Sequence, residues 1–176
     1  MRWAAMLRGI NLGKRQLKSA ELKASVESLG FTDVKTLLAS GNVVFTADET
    51  DPAALEQALH DALFKGTGLK SEIFVRSPEE MAAVAAADPF PDATSERPSF
   101  VVVSFHRKPV DLAAVAKLAE SHGGPERMHA IGRELYIDFP EGQARSVLHP
   151  AMSKAKLDSV NTARNWNTVL KIRDAL

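Results

Sequence analysis

The order of apolar segments along the chain constrains the fold more than any other feature. Short apolar runs predict strands, and longer segments with apolar residues three or four positions apart predict helices. The first part gives strand, helix, strand, strand, helix, strand, over residues 3–7, 19–29, 34–39, 43–47, 52–66 and 71–76. This order is the ferredoxin-like βαββαβ pattern of an α+β fold.

The same order recurs in the second part of the chain. Strands are predicted at 100–105, 127–131, 134–139 and 160–163, with one helix after Asp111 and another over most of 141–157. We expect the latter to be interrupted at His149-Pro150, because a residue before proline disfavours helical backbone. From element order alone we infer an internal duplication of about 80 residues. The predicted domains are an N-terminal ferredoxin-like unit 1–76, a connecting helix and proline-rich linker 77–98, and a C-terminal ferredoxin-like unit 99–176 with a terminal helix.

Capping residues predict where the helices begin. Each has a side-chain oxygen that can accept a hydrogen bond from an unpaired amide of the first turn. The predicted caps are Ser19, Asp51, Ser77 with Glu80 in a capping box, Asp111 and Asn165. The segment Asp88 to Pro98 contains three prolines and is the strongest linker candidate.

Composition excludes several classes of protein. Lys and Arg together number 22, as do Asp and Glu, so the formal net charge is zero. This balance argues against a general nucleic-acid-binding protein. There is no cysteine, which excludes disulfides and thiolate chemistry, and no apolar run approaches the roughly 20 residues of a membrane span. We expect a soluble cytoplasmic protein without a membrane partner, and the sequence leaves its oligomeric state open.

No segment predicts a cofactor or metal. The five histidines lack the paired spacing of a zinc site. The segment from Gly66 to Lys70 resembles part of a phosphate loop but lacks the Walker spacing, and a helix end followed by a strand explains it better. Ser40 has neither the flanking glycines of a nucleophile elbow nor a base placed by sequence to activate it. The sequence therefore identifies no catalytic residue, and whether the protein is an enzyme stays open.

Two polar motifs follow strands of the first unit. Arg8-Gly9-Ile10-Asn11 leaves the first strand, and Ser40-Gly41-Asn42 turns between the second and third. Because a right-handed crossover makes the first two strands parallel, both motifs should lie at one sheet edge and face each other.

The loop after the first strand has two interpretations. Arg8 is followed by Lys14, Arg15 and Lys18 before a helix N-terminus, and this combination can hold a phosphate or carboxylate. The alternative is a solvated basic loop in which Arg8 caps the sheet through backbone carbonyls.

A third polar motif, Arg164-Asn165-Trp166-Asn167-Thr168, precedes and begins the last helix. Its helix N-terminus also suits an anion, and Trp166 offers a flat surface for stacking. In the other interpretation Asn165 caps the helix, Trp166 packs in the core and Thr168 bonds a preceding carbonyl. We favour core packing for Trp166, because tryptophan is mostly buried.

The segments "LRGIN", "ASGNVVF" and "TARNWNTVLK" resemble the three signature stretches of the domain-of-unknown-function 1697 family. The resemblance implies a bacterial protein with ferredoxin-like α+β units and no assigned activity. One departure is that Gly13 is followed by Lys14, where many relatives have a second glycine. The family pattern falls on Arg8, Gly9, Asn11, Gly13, Ser40, Gly41, Asn42, Arg164, Asn165, Trp166 and Thr168.

Three functional hypotheses follow. The leading one is a binding site for an anionic small molecule, with Arg8 and Arg164 holding charge, amides of Asn11, Asn42 and Asn165 forming hydrogen bonds, and Gly9, Gly13 and Gly41 admitting close approach. The second is a nucleic-acid- or protein-binding module that uses the sheets. RNA recognition would require exposed aromatic residues, for which core packing is the favoured alternative at Phe45, Phe74, Phe100 and Phe105. In the third hypothesis the motifs serve structure only.

Overall fold

The computed structural model describes residues 1–176, which form two compact units with one four-stranded antiparallel sheet each. Met1–Ala85 with Leu170–Leu176 make up the first unit, and Ala86–Val169 make up the second. The predicted α+β fold of two ferredoxin-like units is confirmed. The domain boundaries after residues 76 and 98 stay a prediction, because compactness does not show which segments fold independently.

The first unit has the six predicted elements. They are β1 (Arg2–Leu7), α1 (Ser19–Glu27), β2 (Thr32–Leu37), β3 (Asn42–Thr46), α2 (Pro52–Thr67) and β4 (Ile73–Arg76). The strand order is β2-β3-β1-β4, and all neighbouring strands are antiparallel. Strands β1 and β2 are therefore parallel to each other, as the predicted crossover requires. Helix α3 (Pro78–Ala87) follows.

The core of the first unit lies between its sheet and its two helices. Alternate residues of β1, namely Trp3, Ala5 and Leu7, face the same buried cluster as Leu59 and Leu63 of α2. Strand alternation and helical spacing thus place apolar side chains on facing surfaces. All these residues are at most 4% exposed, so the core is closed to water.

The second unit repeats this topology. Its elements are α4 (Pro91–Glu96), β5 (Val101–His106), α5 (Leu112–Ser121), β6 (Arg127–Ile131), β7 (Glu134–Asp138), α6 (Leu148–Lys154), β8 (Asn161–Asn165) and the start of α7 (Trp166–Ala175). The strand order is β6-β7-β5-β8, again antiparallel throughout. Equal strand order supports the interpretation of an internal duplication.

Local capping signals were mostly correct. Asp51 accepts a hydrogen bond from Ala53 N at 3.1 Å, and Asp111 accepts one from Ala114 N at 3.0 Å. Ser77 and Glu80 form the reciprocal capping box, with distances of 2.9 and 3.2 Å. These bonds satisfy amides that a helix start leaves unpaired.

Two local predictions were wrong. Ser19 is the first helical residue of α1 and not its cap, and Lys18 N at the cap position donates to the Glu21 side chain at 2.9 Å. Pro150 does not interrupt a helix, because α6 begins at Leu148 and the proline falls in the first turn, where its missing N–H is not needed. The segment from Asp88 to Pro98 contains helix α4, in which Ala93 is buried, and its role as a linker stays a prediction.

Strand β2 is irregular near its start. The pairing of β2 with β3 shifts register between Thr32 and Lys35, and Asp33 between them has a positive φ of 51°. Such an interruption bends a strand and breaks its row of backbone hydrogen bonds.

Across the whole chain, no helix combines the length and the apolar character that crossing a membrane requires.

Candidate functional site

Arg8 lies directly after β1, with its backbone held on both sides. Its amide donates to the Glu72 carbonyl at 2.9 Å, and its own carbonyl accepts from the Ser71 hydroxyl at 2.8 Å. Its side chain is exposed, and the guanidinium forms no hydrogen bond or ion pair. The Arg8 side chain therefore does not cap the sheet through backbone carbonyls, although its exposure agrees with the solvated basic loop of that alternative. The arrangement fixes the base of this side chain and leaves its charged end in solvent.

Asn11 organises the loop that follows. Its side-chain Nδ2 donates to the Ala39 carbonyl of the β2–β3 hairpin, and its Oδ1 accepts from Leu17 N at 2.7 Å. Its backbone adopts a left-handed φ of 57°, a conformation that asparagine tolerates better than most residues. The amide thus joins the beginning and the end of the loop to the neighbouring hairpin.

The hairpin motif packs closely against β1. Gly41 has a φ of 78°, its carbonyl accepts from Leu7 N at 2.8 Å, and a Cβ built on it would lie 3.1 Å from Leu7 Cβ. Asn42 is buried, and its Nδ2 donates to the Leu37 carbonyl at 2.9 Å and to Ser40 Oγ at 2.8 Å. The two motifs of the first unit therefore meet at one sheet edge, as the topology predicts.

Residues 8–18 form a cationic loop, which contains Arg8, Lys14, Arg15 and Lys18 and no acidic residue. All four side chains are exposed. The Arg15 guanidinium lies beside Gly9, where an added Cβ would be 3.4 Å from its Nη1, and it donates to the Lys70 carbonyl. Arg15 was not among the predicted site residues, although the run of like charges was visible in the sequence.

The third motif belongs to β8 and α7. Arg164 is 6% exposed, and its Nη1 donates to Thr162 Oγ1 and to the Ala163 carbonyl, both at 2.8 Å. Burial lowers the pKa of Arg164 to about 10, because the low-dielectric surroundings disfavour its charged form. Asn165 caps α7, accepting from Thr168 N at 3.0 Å. Trp166 is buried, which agrees with the favoured interpretation of this residue as part of a core.

Most aromatic residues considered for base stacking are buried. Phe45, Phe74 and Phe105 have no exposed surface, whereas Phe100 is 41% exposed. Core packing is therefore confirmed for these three, and they offer no platform to a nucleotide. No group of three or more His, Asp or Glu side chains is placed to hold a metal ion.

Comparison with known proteins identifies the family. The model of a family described as a protein of unknown function, DUF1697, matches residues 1–136, which is most of the chain. The chain belongs to the DUF1697 family. The matched residues include the first two polar motifs, and the third lies beyond them.

A DUF1697 assignment agrees with the structural comparison. The structure described as conserved bacterial protein SP0830 from Streptococcus pneumoniae aligns with a TM-score of 0.72 and 25% sequence identity. The alignment covers 98% of this chain and 96% of that chain. No curated protein matches the sequence significantly. The comparisons establish the fold and an uncharacterised bacterial family, and they assign no ligand.

Proposed function

We propose that this DUF1697 protein binds a small anionic ligand, bearing phosphate or carboxylate, at the cationic loop of its first unit. The observation that carries the proposal is the Arg8 side chain, which has a fixed backbone and a guanidinium with no partner in the protein. A guanidinium forms paired hydrogen bonds with carboxylate or phosphate, and such charge-assisted bonds are stronger than neutral ones.

The surrounding loop supports the same ligand class. Lys14, Arg15 and Lys18 add positive charge that no acidic residue of the loop offsets. Gly13 has a φ of 58°, and no atom lies within 4 Å of where its Cβ would be, so the backbone there is open to a ligand. Close approach of an anion to backbone amides is what glycine permits in phosphate-binding loops.

The remaining predicted residues take different roles in this proposal. Asn11 and Asn42 hold the shape of the loop and hairpin, because their amides already bond within the first unit. Ser40, Gly9 and Gly41 lie in the same two motifs. The contributions of Arg164, Asn165, Trp166 and Thr168 stay a prediction.

A titration of the full chain with inorganic pyrophosphate, phosphate and citrate tests the proposal. We expect saturable binding by calorimetry at low salt, and a rise in melting temperature that follows ligand concentration. Arg8→Ala should weaken binding by about ten- to a hundredfold, since a hydrogen bond to a charged group contributes about 1.5–3 kcal/mol. Arg145→Ala is the matched control, because Arg145 is also exposed and forms no side-chain bond.

Other outcomes distinguish the alternatives. If Arg8→Ala lowers the melting temperature and no anion binds the wild-type protein, the motifs are structural and the proposal is wrong. If single-stranded nucleic acid binds with a steep salt dependence while the small anions do not, the sheet-module hypothesis replaces it. Equal loss of anion binding in Arg8→Ala and Arg145→Ala would mean that the anions bind through the overall positive charge of the protein and not at a site formed by Arg8.

A further inference from the structure

The helix-facing surface of the second sheet is more polar than that of the first. In the first unit the central strand β1 presents only apolar side chains to the helices, namely Trp3, Ala5 and Leu7. In the second unit the central strand β5 has Val102, Ser104 and His106 at the alternating positions of that face. Two of the three positions that are apolar in β1 are therefore polar in β5.

The edge strand beside β5 shows the same change. Directly opposed residues of antiparallel strands share a face, so the partners of these positions can be compared. In the first unit Ala5 pairs with Val75 and Leu7 with Ile73. In the second unit Ser104 pairs with Ala163 and His106 with Asn161. A surface with smaller and more polar side chains gives a helix less apolar area to cover.

The helix that precedes this edge strand is also shorter in the second unit. Helix α2 of the first unit has 16 residues, whereas α6 of the second has seven. A cavity of about 130 Å³ lies between α6 and the sheet. Its apolar lining, which we call the apolar floor, consists of Val102, Ile137 and Phe139 on the sheet side and of Met152 on the α6 side, all buried.

Polar groups without protein partners line this cavity. Ser104 is 6% exposed, and its hydroxyl forms no hydrogen bond. Around the opening lie the exposed side chains of Asp158 and Ser153, which are also without hydrogen bonds or ion pairs. The His149 ring packs on Phe139 with the centroids 5.8 Å apart. A hydroxyl without a partner in the protein is free to bond a ligand or a water molecule that enters the cavity.

We propose that this cavity binds a small primary amine that carries a short apolar chain. Asp158 is the only carboxylate on the lining, and no lysine or arginine lies there to neutralise it. An ammonium group can bond Asp158 and the hydroxyls of Ser104 or Ser153, while a short hydrocarbon chain covers the apolar floor. A cavity of about 130 Å³ is small, which limits the ligand to a few non-hydrogen atoms.

Nuclear magnetic resonance of the ¹⁵N-labelled full chain tests this proposal. We expect propylammonium chloride to cause saturable shifts of the amides of Ser104, Met152 and Ala163, and the neutral isostere 1-propanol to bind more weakly. Sodium propionate should cause no saturable shift, because Asp158 repels it. Absence of saturable shifts with propylammonium, or equal affinity for all three compounds, would overturn the proposal.

Two substitutions locate the binding. Asp158→Asn removes the charge and should weaken propylammonium binding by about two- to fivefold, the range expected for an exposed ion pair. Asp48→Asn is the matched control, because Asp48 is an exposed aspartate of the first unit and should not affect binding. Ala163→Leu should fill the cavity and abolish binding in a protein whose spectrum remains dispersed. Unchanged affinity in both Asp158→Asn and Ala163→Leu would rule out this site.

Discussion

The two units share one strand order but differ in what holds the helices to the sheet. In the first, an apolar sheet face packs against the long helix α2. In the second, the short helix α6 leaves a cavity over a face that contains Ser104. The comparison shows that the βαββαβ order fixes strand pairing, whereas the side chains on the helix-facing surface decide how much of that surface is covered.

The units also differ at the last residues of β3 and β7, the strands that pair with the central strands β1 and β5. Thr46 pairs with Arg2 in the first unit, and at the equivalent position of the second Asp138 pairs with Val101. Asp138 is fully buried, and its carboxylate accepts hydrogen bonds from Arg97 at 2.7 Å and from Arg127 at 2.9 Å. The second unit thus uses a buried ionic cluster where the first has a single hydroxyl.

The largest difference should appear when each helix loses an apolar side chain. Leu59→Ala in α2 should lower the free energy of unfolding by about 3–5 kcal/mol, because it leaves a void in a closed core. Met152→Ala in α6 should cost about 2 kcal/mol, since its side chain already borders a cavity. Urea denaturation measures both, and equal losses would contradict the contrast between closed and open helix contacts.

The ionic cluster gives the next largest effect. Asp138→Asn should cost about 3 kcal/mol, at the low end for a broken buried pair because both arginines are partly exposed. Thr46→Val, the corresponding change in the first unit, should alter stability by less than about 1 kcal/mol. Urea denaturation at two salt concentrations checks this, and a loss below 1 kcal/mol for Asp138→Asn would show that the cluster contributes no net stability.

The glycines of the β2–β3 and β6–β7 hairpins also differ between the units, with a smaller expected effect on stability. Gly41 and Gly132 both have positive φ, at 78° and 57°. An added methyl group meets Leu7 at 3.1 Å in the first hairpin and nothing within 4 Å in the second. We expect Gly41→Ala to cost about 2 kcal/mol and Gly132→Ala about 1 kcal/mol, which is the backbone penalty alone. Thermal unfolding of both variants gives the order, and a reversed order would contradict the packing of the first hairpin against β1.

The smallest predicted effect depends on pH. Burial alone would raise the pKa of the Glu126 carboxyl, but hydrogen bonds from Ser146 at 2.5 Å and with His122 at 2.7 Å outweigh it and lower that pKa. The carboxylate therefore stabilises the folded state above the ordinary glutamate pKa of about 4.3, and this contribution is lost as pH falls through the lower folded value. Glu126→Gln should cost about 1 kcal/mol at pH 7 and progressively less below pH 4, as measured by urea denaturation across that range.

Features that depend on neighbouring residues in sequence were predictable. Asp51, Asp111 and Asn165 cap their helices because a cap needs only the first turn that follows it. The meeting of the loop at Arg8 with the hairpin at Gly41 followed from topology, because the handedness of the crossover fixes which strand ends share an edge.

Features that depend on distant partners were not predictable. In the sequence alone, the side-chain amide of Asn11 suits a ligand contact as well as a bond within the protein. Only the folded hairpin shows that it bonds the Ala39 carbonyl. The partners of Asp138 come from Arg97 and Arg127, which no local pattern connects to it. The cavity beside Ser104 depends on the length of α6 relative to the sheet, although a polar residue inside an apolar strand was a visible signal.

The irregular start of β2 affects how the protein should behave at high concentration. An outer strand with regular pairing offers a row of free amides and carbonyls to which another chain can add. The register shift between Thr32 and Lys35 interrupts that row in the first sheet, whereas β6 pairs regularly along its whole length. Of these two outer strands, β6 is therefore the one to which another chain should add more readily, and Ile131→Lys would oppose that addition by placing a charge on the edge.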